Sequence, residues 1–384
     1  MLPLQQAYEV KEAILEFIRT TYRFKEEDVE KAFFEFLEDP KHGMIKGPYI
    51  SLKGPFVSAP DGFTIPLEIK PGFPPYKHQI QAFEQLTTEG GHVPHNTLIT
   101  TGTGSGKTEC FLFPILDYCY KHIGEKGIKV IILYPMNALA TDQAKRLAEA
   151  IYGDERLRGK ISAGLFIGKG LDKKDFSQVM TEHGIIEDAS QIVSNPPDII
   201  LTNFKMLDYG IMRGENASLW AKNVENPGLL KYIVLDELHT YDGAQGTDVA
   251  NLLRRLKLRI GIDHGSVCGV GTSATIGSGE ESKQLLCDYA SDIFGETFLP
   301  DDVIEEHRVP SGELFAGSAD QYLPGQRALD KLTMREDEKH DAYIRRQMEL
   351  WSVYTDESEE KGLAITETLS SYQITRDLFS ICEE

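Results

Sequence analysis

Between Thr100 and Thr108 the chain reads Thr-Thr-Gly-Thr-Gly-Ser-Gly-Lys-Thr, with a strand-like apolar run before it and a helix-like run after it. Glycines at Gly102, Gly104 and Gly106 let successive backbone N–H groups curl around phosphate oxygens, and the helix N-terminus beyond them adds partial positive charge. Lys107 has the reach for β- and γ-phosphates, and the Thr108 hydroxyl is a ligand for Mg²⁺. The usual spacing asks for glycine at position 101, where this chain has Thr101; Thr103 and Ser105 fill the other loop positions. A second constellation is Tyr232-Ile233-Val234-Leu235-Asp236-Glu237-Leu238-His239. An apolar strand ending in two carboxylates puts Asp236 at the rim to hold Mg²⁺ through its waters. Glu237 is left to orient and deprotonate an attacking water. Each signal has a bland reading, a flexible glycine-rich loop or acids that happen to end a strand. Their coupling in one chain favours phosphoryl transfer.

Such groups need a scaffold that brings distant segments to one edge. From about residue 76 to 276, short β-rich runs alternate with helical segments. The runs are Thr97–Thr100, Lys129–Tyr134, Ile161–Ile167, Asp198–Leu201, Tyr232–Leu235 and Val267–Gly271, with helices including Thr108–Tyr120 and Asn137–Ile151. This alternation predicts an α/β domain whose mostly parallel sheet is flanked by helices, with ligands outside the carboxyl ends of the strands. Residues 1–70 begin with two amphipathic stretches, Leu4–Arg19 and Glu26–Leu37, and continue through Pro/Gly-rich loops. They read as an accessory N-terminal region. Residues 71–295 hold the α/β pattern, which ends in the helical run Ser282–Phe294. Residues 296–384 read as an acidic, mainly helical extension, with further runs at Asp341–Trp351 and Glu367–Cys382.

The 384 residues carry a net charge of −20, with 41% hydrophobic and 26% charged residues, an ordinary globular balance. No apolar run approaches the roughly 18 residues of a membrane span, and the N-terminus lacks the basic-then-apolar pattern of a secretory leader. Five cysteines without CxxC spacing (Cys110, Cys119, Cys268, Cys287, Cys382) argue against a disulfide framework or zinc site and fit a reducing cytoplasm. The acidity is uneven. Residues 291–384 hold 9 Lys and Arg against 22 Asp and Glu, while residues 71–290 hold 22 against 26. A nucleic-acid contact in the middle of the chain therefore relies on local donors rather than on a strongly basic face.

Together with four further matches in the same order, these residues resemble the first RecA-like motor domain of superfamily 2 DExH-box helicases. Gln79, in Tyr76-Lys77-His78-Gln79, is similar to the glutamine that reads adenine. Tyr134-Pro135-Met136-Asn137-Ala138-Leu139-Ala140 resembles the first strand-contacting motif, and Thr202-Asn203 falls where the next backbone-contacting motif belongs. Ser273-Ala274-Thr275 resembles the motif that couples nucleotide state to domain movement, with His239 hydrogen-bonding across to it. The resemblance implies ATP and Mg²⁺ as cofactors, and Pro135, Asn137, Thr202 and Asn203 as the nucleic-acid track. The runs Leu235–Asp248, Tyr134–Ala140 and Leu201–Leu207 are similar to large bacterial helicases of the MrfA and Druantia E kind, linked to DNA repair or anti-phage defence. DNA is accordingly the expected strand, RNA the alternative, and proteins of a defence or repair system the possible partners.

One departure from that family pattern matters. No QxxGRxGR-type run follows Thr275, so the arginine fingers of a second RecA-like domain have to come in cis or in trans. Such a finger is worth about 10³–10⁵ in rate, and this chain alone is expected to be weakly active or inactive. The rival reading is a non-catalytic nucleotide-binding assembly or regulatory module. Arg254–Arg259 reads as a solvated helix face, and Lys169, Lys173 and Lys174 as a loop that could meet a DNA backbone.

Overall fold

The computed structural model describes residues 3–39, 41–44, 53–60, 62–102, 104–168, 177–274 and 279–310, with Glu313, Ala342, Tyr343 and Arg346 beyond. The chain divides into two compact units, Phe56–His307 and a second formed by Met1–Pro55 with Arg308–Glu384.

Among the described residues, the larger unit is built on seven strands. They are β1 (Thr97–Thr100), β2 (Val130–Leu133), β3 (Ala163–Phe166), β4 (Ile199–Thr202), β5 (Tyr232–Leu235), β6 (Cys268–Ser273) and β7 (Val303–Glu305). They lie in the order β3-β4-β2-β5-β6-β1-β7, and every pairing is parallel. The strands β1 to β6 are buried at every residue, because helices cover both faces; this is why they read as unbroken apolar runs rather than alternating ones. Alternation is still present in which layer each residue meets. Val130 and Ile132 of β2 pack with Phe111, Ile115 and Leu147, whereas Ile131 and Leu133 pack with Trp220, Leu253 and Leu256. The first layer includes α3 (Lys77–Leu86), α4 (Lys107–Lys121) and α5 (Asn137–Gly153). The second includes α6 (Ala189–Ser194), α7 (Phe204–Met212), α8 (Ala217–Glu225), α9 (Gly243–Ile260) and α10 (Glu280–Phe294).

Two differences from the sequence reading stand out. The sheet continues past residue 295: β7 pairs with β1 through Leu98↔Val303, Ile99↔Ile304 and Thr100↔Glu305, within the compact unit Phe56–His307. Three residues with one buried apolar side chain, Ile304, leave almost no periodic signal for such an edge strand. The run Arg254–Arg259 is also not wholly solvated. Lys257 turns inward, where its ammonium pairs with Glu296 and donates to the Phe294 carbonyl at 2.7 Å, while Arg255 pairs outside with Asp208 at 2.6 Å. Burial pushes the Lys257 pKa down, against the pull of Glu296.

In the smaller unit, α1 (Pro3–Thr21) and α2 (Glu27–Glu38) meet through Leu15, Phe34 and Leu37, with the Arg19 guanidinium 4.5 Å from the Phe34 ring centre. Elsewhere in that unit, Arg308 donates to the Gly54 carbonyl at 2.7 Å. The helical runs anticipated beyond residue 340 lie outside the described residues, apart from Ala342, Tyr343 and Arg346. The same holds for Lys169, Lys173, Lys174 and Cys382. Cys110, Cys119, Cys268 and Cys287 are free and buried. Among the described residues no helix is long and apolar enough to cross a membrane.

Candidate active site

The parallel sheet delivers the ends of β1, β2, β4, β5 and β6 to one edge, and the anticipated site residues gather there. The loop between β1 and α4 turns on Gly104 (φ 80°) and Gly106 (φ 76°), conformations that side-chain-bearing residues adopt only under strain. A Cβ at Gly106 would lie 2.4 Å from Gln79 Nε2. Thr101 is buried, and its Oγ1 lies 2.6 Å from Ser105 Oγ. The threonine in the usual glycine position thus closes the base of the loop with a hydroxyl bridge. Thr103 lies outside the described residues.

The loop is also held from its flanks. His78 Nε2–H donates to the Ser105 carbonyl at 2.8 Å, and Gln79 Nε2 donates to the next carbonyl, Gly106, at 3.2 Å. Gln79 Oε1 accepts the Tyr76 N–H at 2.9 Å, which fixes the amide at the first turn of α3; the side chain is 1% exposed. From the other side, the Glu306 carboxylate, one residue past β7, accepts the Gly102 N–H at 2.7 Å. Lys107 Nζ, at the start of α4, lies 3.4 Å from the Ser273 carbonyl and 3.9 Å from Glu237 Oε1. Thr108 sits beside it in the first turn.

At the end of β5, the Asp236 N–H still bonds to the Leu133 carbonyl at 3.0 Å, as in a ladder, and the chain then turns sharply. Glu237 adopts φ 52° and ψ 53°, the one positive φ among the described non-glycine residues. Asp236 is 8% exposed, and Thr272 Oγ1 donates to its Oδ1 at 2.5 Å. Burial pushes the Asp236 carboxyl above the usual range, and the Thr272 hydrogen bond opposes that rise. His239 Nδ1 bridges toward Glu237 Oε2 at 3.5 Å and Ser273 Oγ at 3.3 Å. The anticipated contact between His239 and the Ser273 segment is therefore present, while Thr275 lies outside the described residues.

No cluster of three or more His, Cys, Asp or Glu side chains able to hold a metal occurs among the described residues. Mg²⁺ does not require one, since it binds through one or two hard oxygen donors together with substrate phosphates. The Asp236 carboxylate and the Thr108 hydroxyl fit that requirement.

Beside this cluster, Asn203 Nδ2 donates to Asn137 Oδ1 at 2.7 Å, and Asn203 Oδ1 caps α7 by accepting the Met206 N–H at 2.9 Å. Pro135 is half-buried at the end of β2. Thr202 closes β4 with its side chain turned into the sheet. It is fully buried, and its hydroxyl donates to the Phe166 carbonyl at 2.6 Å, tying β4 to β3. His78, Thr272 and Glu306 were not singled out from the sequence. Each acts on an atom at least 27 positions away along the chain, with no local pattern to mark it.

The fold and the site define a P-loop α/β domain of the RecA-like helicase kind. The DEAD/DEAH box helicase family model matches residues 76–283, and the chain belongs to that family. Druantia protein DruE of Escherichia coli (strain UMEA 4076-1), of the branch that the Leu235–Asp248 run resembles, is 29% identical, over 56% of this chain and 16% of its own length. An uncharacterized ATP-dependent helicase of Bacillus subtilis (strain 168), YprA, is 34% identical over 241 residues, 62% of this chain and 26% of its own. A crystal structure of the DUF1998 helicase MrfA bound to DNA aligns with TM-score 0.46 and 25% identity, over 67% of this chain and 29% of that one. The chain thus spans about a sixth to a quarter of the length of these two curated relatives.

Proposed function

We propose that this chain carries the first motor half of an ATP-dependent DNA helicase or translocase, completed by a second RecA-like domain in cis or in trans. The observation that carries this reading is the link from Lys107 to Glu237 and the Ser273 carbonyl, and from Glu237 through His239 to Ser273 Oγ, over 3.3 to 3.9 Å. It joins phosphate loop, carboxylate pair and coupling strand in one connected cluster. Gly104, Gly106 and Lys107 cradle the triphosphate, and Gly102 joins them when its N–H exchanges the Glu306 carboxylate for a phosphate oxygen. Gln79 reads the adenine edge, since its amide oxygen and nitrogen each keep one further hydrogen-bonding position. Asp236 and Thr108 are the residues that would hold Mg²⁺, which when bound neutralises charge on the β- and γ-oxygens. Glu237 orients the attacking water and takes its proton, and Lys107 offsets negative charge on the transferred phosphoryl group. His239 and Ser273 pass the state of the Glu237 region to β6.

Pro135, Asn137 and Asn203 contact the nucleic-acid backbone, a mode that carries little sequence specificity. DNA is assigned on the branch resemblance of the Leu235–Asp248 run, and a reducing cytoplasm and protein partners in repair or defence belong to the same reading. Residues 1–70 act as an accessory region and the acidic residues beyond β7 as an extension.

The test is steady-state ATP turnover with and without single- and double-stranded DNA, beside nucleotide-binding measurements. Glu237→Gln is expected to keep ATP binding and lower any turnover by about 10²–10⁴, and Lys107→Ala to lose binding. ATP binding that is absent, or indifferent to Lys107→Ala, would sink the motor reading in favour of a non-catalytic module.

A further inference from the structure

We infer that Thr272 is a positioning residue for the carboxylate pair: its single hydroxyl aligns Asp236 toward the metal position and holds Glu237 in the backbone conformation from which it meets water. The inference rests on the ATPase reading above.

Thr272 lies on β6, whose register with β5 sets Leu235 against Gly271, so the threonine falls beside the point where β5 gives way to the two acids. It is fully buried. A hydroxyl has one donor and two acceptor positions, and here both senses are used. The Glu237 N–H, which can only donate, bonds to Oγ1 at 3.0 Å. The hydroxyl proton is then directed to Asp236 Oδ1 at 2.5 Å. One consequence concerns Asp236. With Oδ1 engaged, the carboxylate plane is set and Oδ2 is the oxygen presented to a cation; outer partners that orient a ligating carboxylate in this way govern metal affinity. The other concerns Glu237, whose left-handed backbone is strained and persists only where its surroundings over-determine it. The N–H bond to a fully buried oxygen is such a determinant. Adjacent Ser273 has different contacts, its Oγ toward His239 and its carbonyl toward Lys107, so the Thr272 contribution is separable from it.

Thr272→Val keeps the β-branched shape suited to a strand and removes the hydroxyl, whereas Thr272→Ser keeps the hydroxyl. The measurement is binding of a fluorescent non-hydrolysable ATP analogue during a Mg²⁺ titration and again in excess chelator. Unfolding curves for all three proteins run alongside. For Thr272→Val, the Mg²⁺ concentration at half-maximal tight binding is expected to rise by about 10–100-fold, with metal-free nucleotide affinity unchanged. Thr272→Ser is expected to titrate like the parent chain. A Thr272→Val titration superimposable on the parent would overturn the inference. So would a Thr272→Ser variant as impaired as the valine, or an equal loss of metal-free affinity, which marks a merely structural role. A parent chain whose nucleotide binding ignores Mg²⁺ altogether would instead overturn the ATPase reading beneath it.

Discussion

At the scale of single residues, the site depends on a few atoms held by partners far away in the chain. Gly106 is a clear case, because a side chain there is strained by its φ of 76° and its Cβ would lie 2.4 Å from Gln79 Nε2, so that the amide must shift. Gly106→Ala has to bear about 1–2 kcal/mol of backbone strain and must also displace the Gln79 amide from the carbonyl it holds. We expect it to lower nucleotide affinity more than tenfold while the domain stays folded, read by fluorescent-nucleotide titration beside thermal unfolding. Residues of this kind were legible to different degrees. Lys107, Thr108, Asp236, Glu237, His239 and Ser273 could be read because their order and spacing follow a family pattern. His78 and Thr272 could not, since a buried histidine or threonine looks the same in sequence whether it packs or orients a neighbour. The direction taken by the Thr202 side chain was not legible for a related reason. At the last position of a strand, one residue decides whether a hydroxyl faces the ligand edge or, as here, the neighbouring Phe166 carbonyl.

At the scale of elements, the strands β1 to β6 were legible to within a few residues because burial on both faces demands unbroken apolar runs. β7 was not, because an edge strand of three residues needs no such run. The inward turn of Lys257 escaped too, since a cationic stretch on a helix looks solvated until the partner, Glu296, is known from beyond the end of α10. That pair fastens the last turns of α9 and α10, and Glu296 also accepts the Gly265 N–H at 2.8 Å. The Glu296 side chain is 1% exposed, so removing Lys257 leaves a buried charge with only the Gly265 N–H and His264, whose Nδ1 lies 3.8 Å away, beside it. Lys257→Met should cost about 3–5 kcal/mol in urea unfolding, and adding Glu296→Gln should recover most of it. A Lys257→Met chain as stable as the parent would show that the pair contributes little.

At the scale of the whole molecule, the nucleotide loop is bracketed by segments from opposite ends of the larger unit. His78 and Gln79 approach from α3, and Glu306 approaches from beyond β7. A chain ending at residue 300 lacks β7 and Glu306, and leaves β1 as an exposed edge, a template for association. We expect such a chain to aggregate and to lose nucleotide binding, whereas one ending at residue 310 retains both solubility and binding. Gel filtration with a fluorescent nucleotide separates the two outcomes, and equal behaviour would mean that β7 is dispensable.

The strand order also dictates a timetable for synthesis. Of the seven described strands of this sheet, β1 is the first to be synthesised, yet its neighbours in the sheet, β6 and β7, are the last two. Val270, the partner of Thr97, follows it by about 170 residues, which at roughly 5–20 residues per second is a wait of about 10–35 s. Through that interval the nascent chain carries its phosphate loop on an unpaired strand. The last strands to emerge are the ones that make the loop competent, so nucleotide binding is acquired at the end of synthesis of this unit rather than gradually along it.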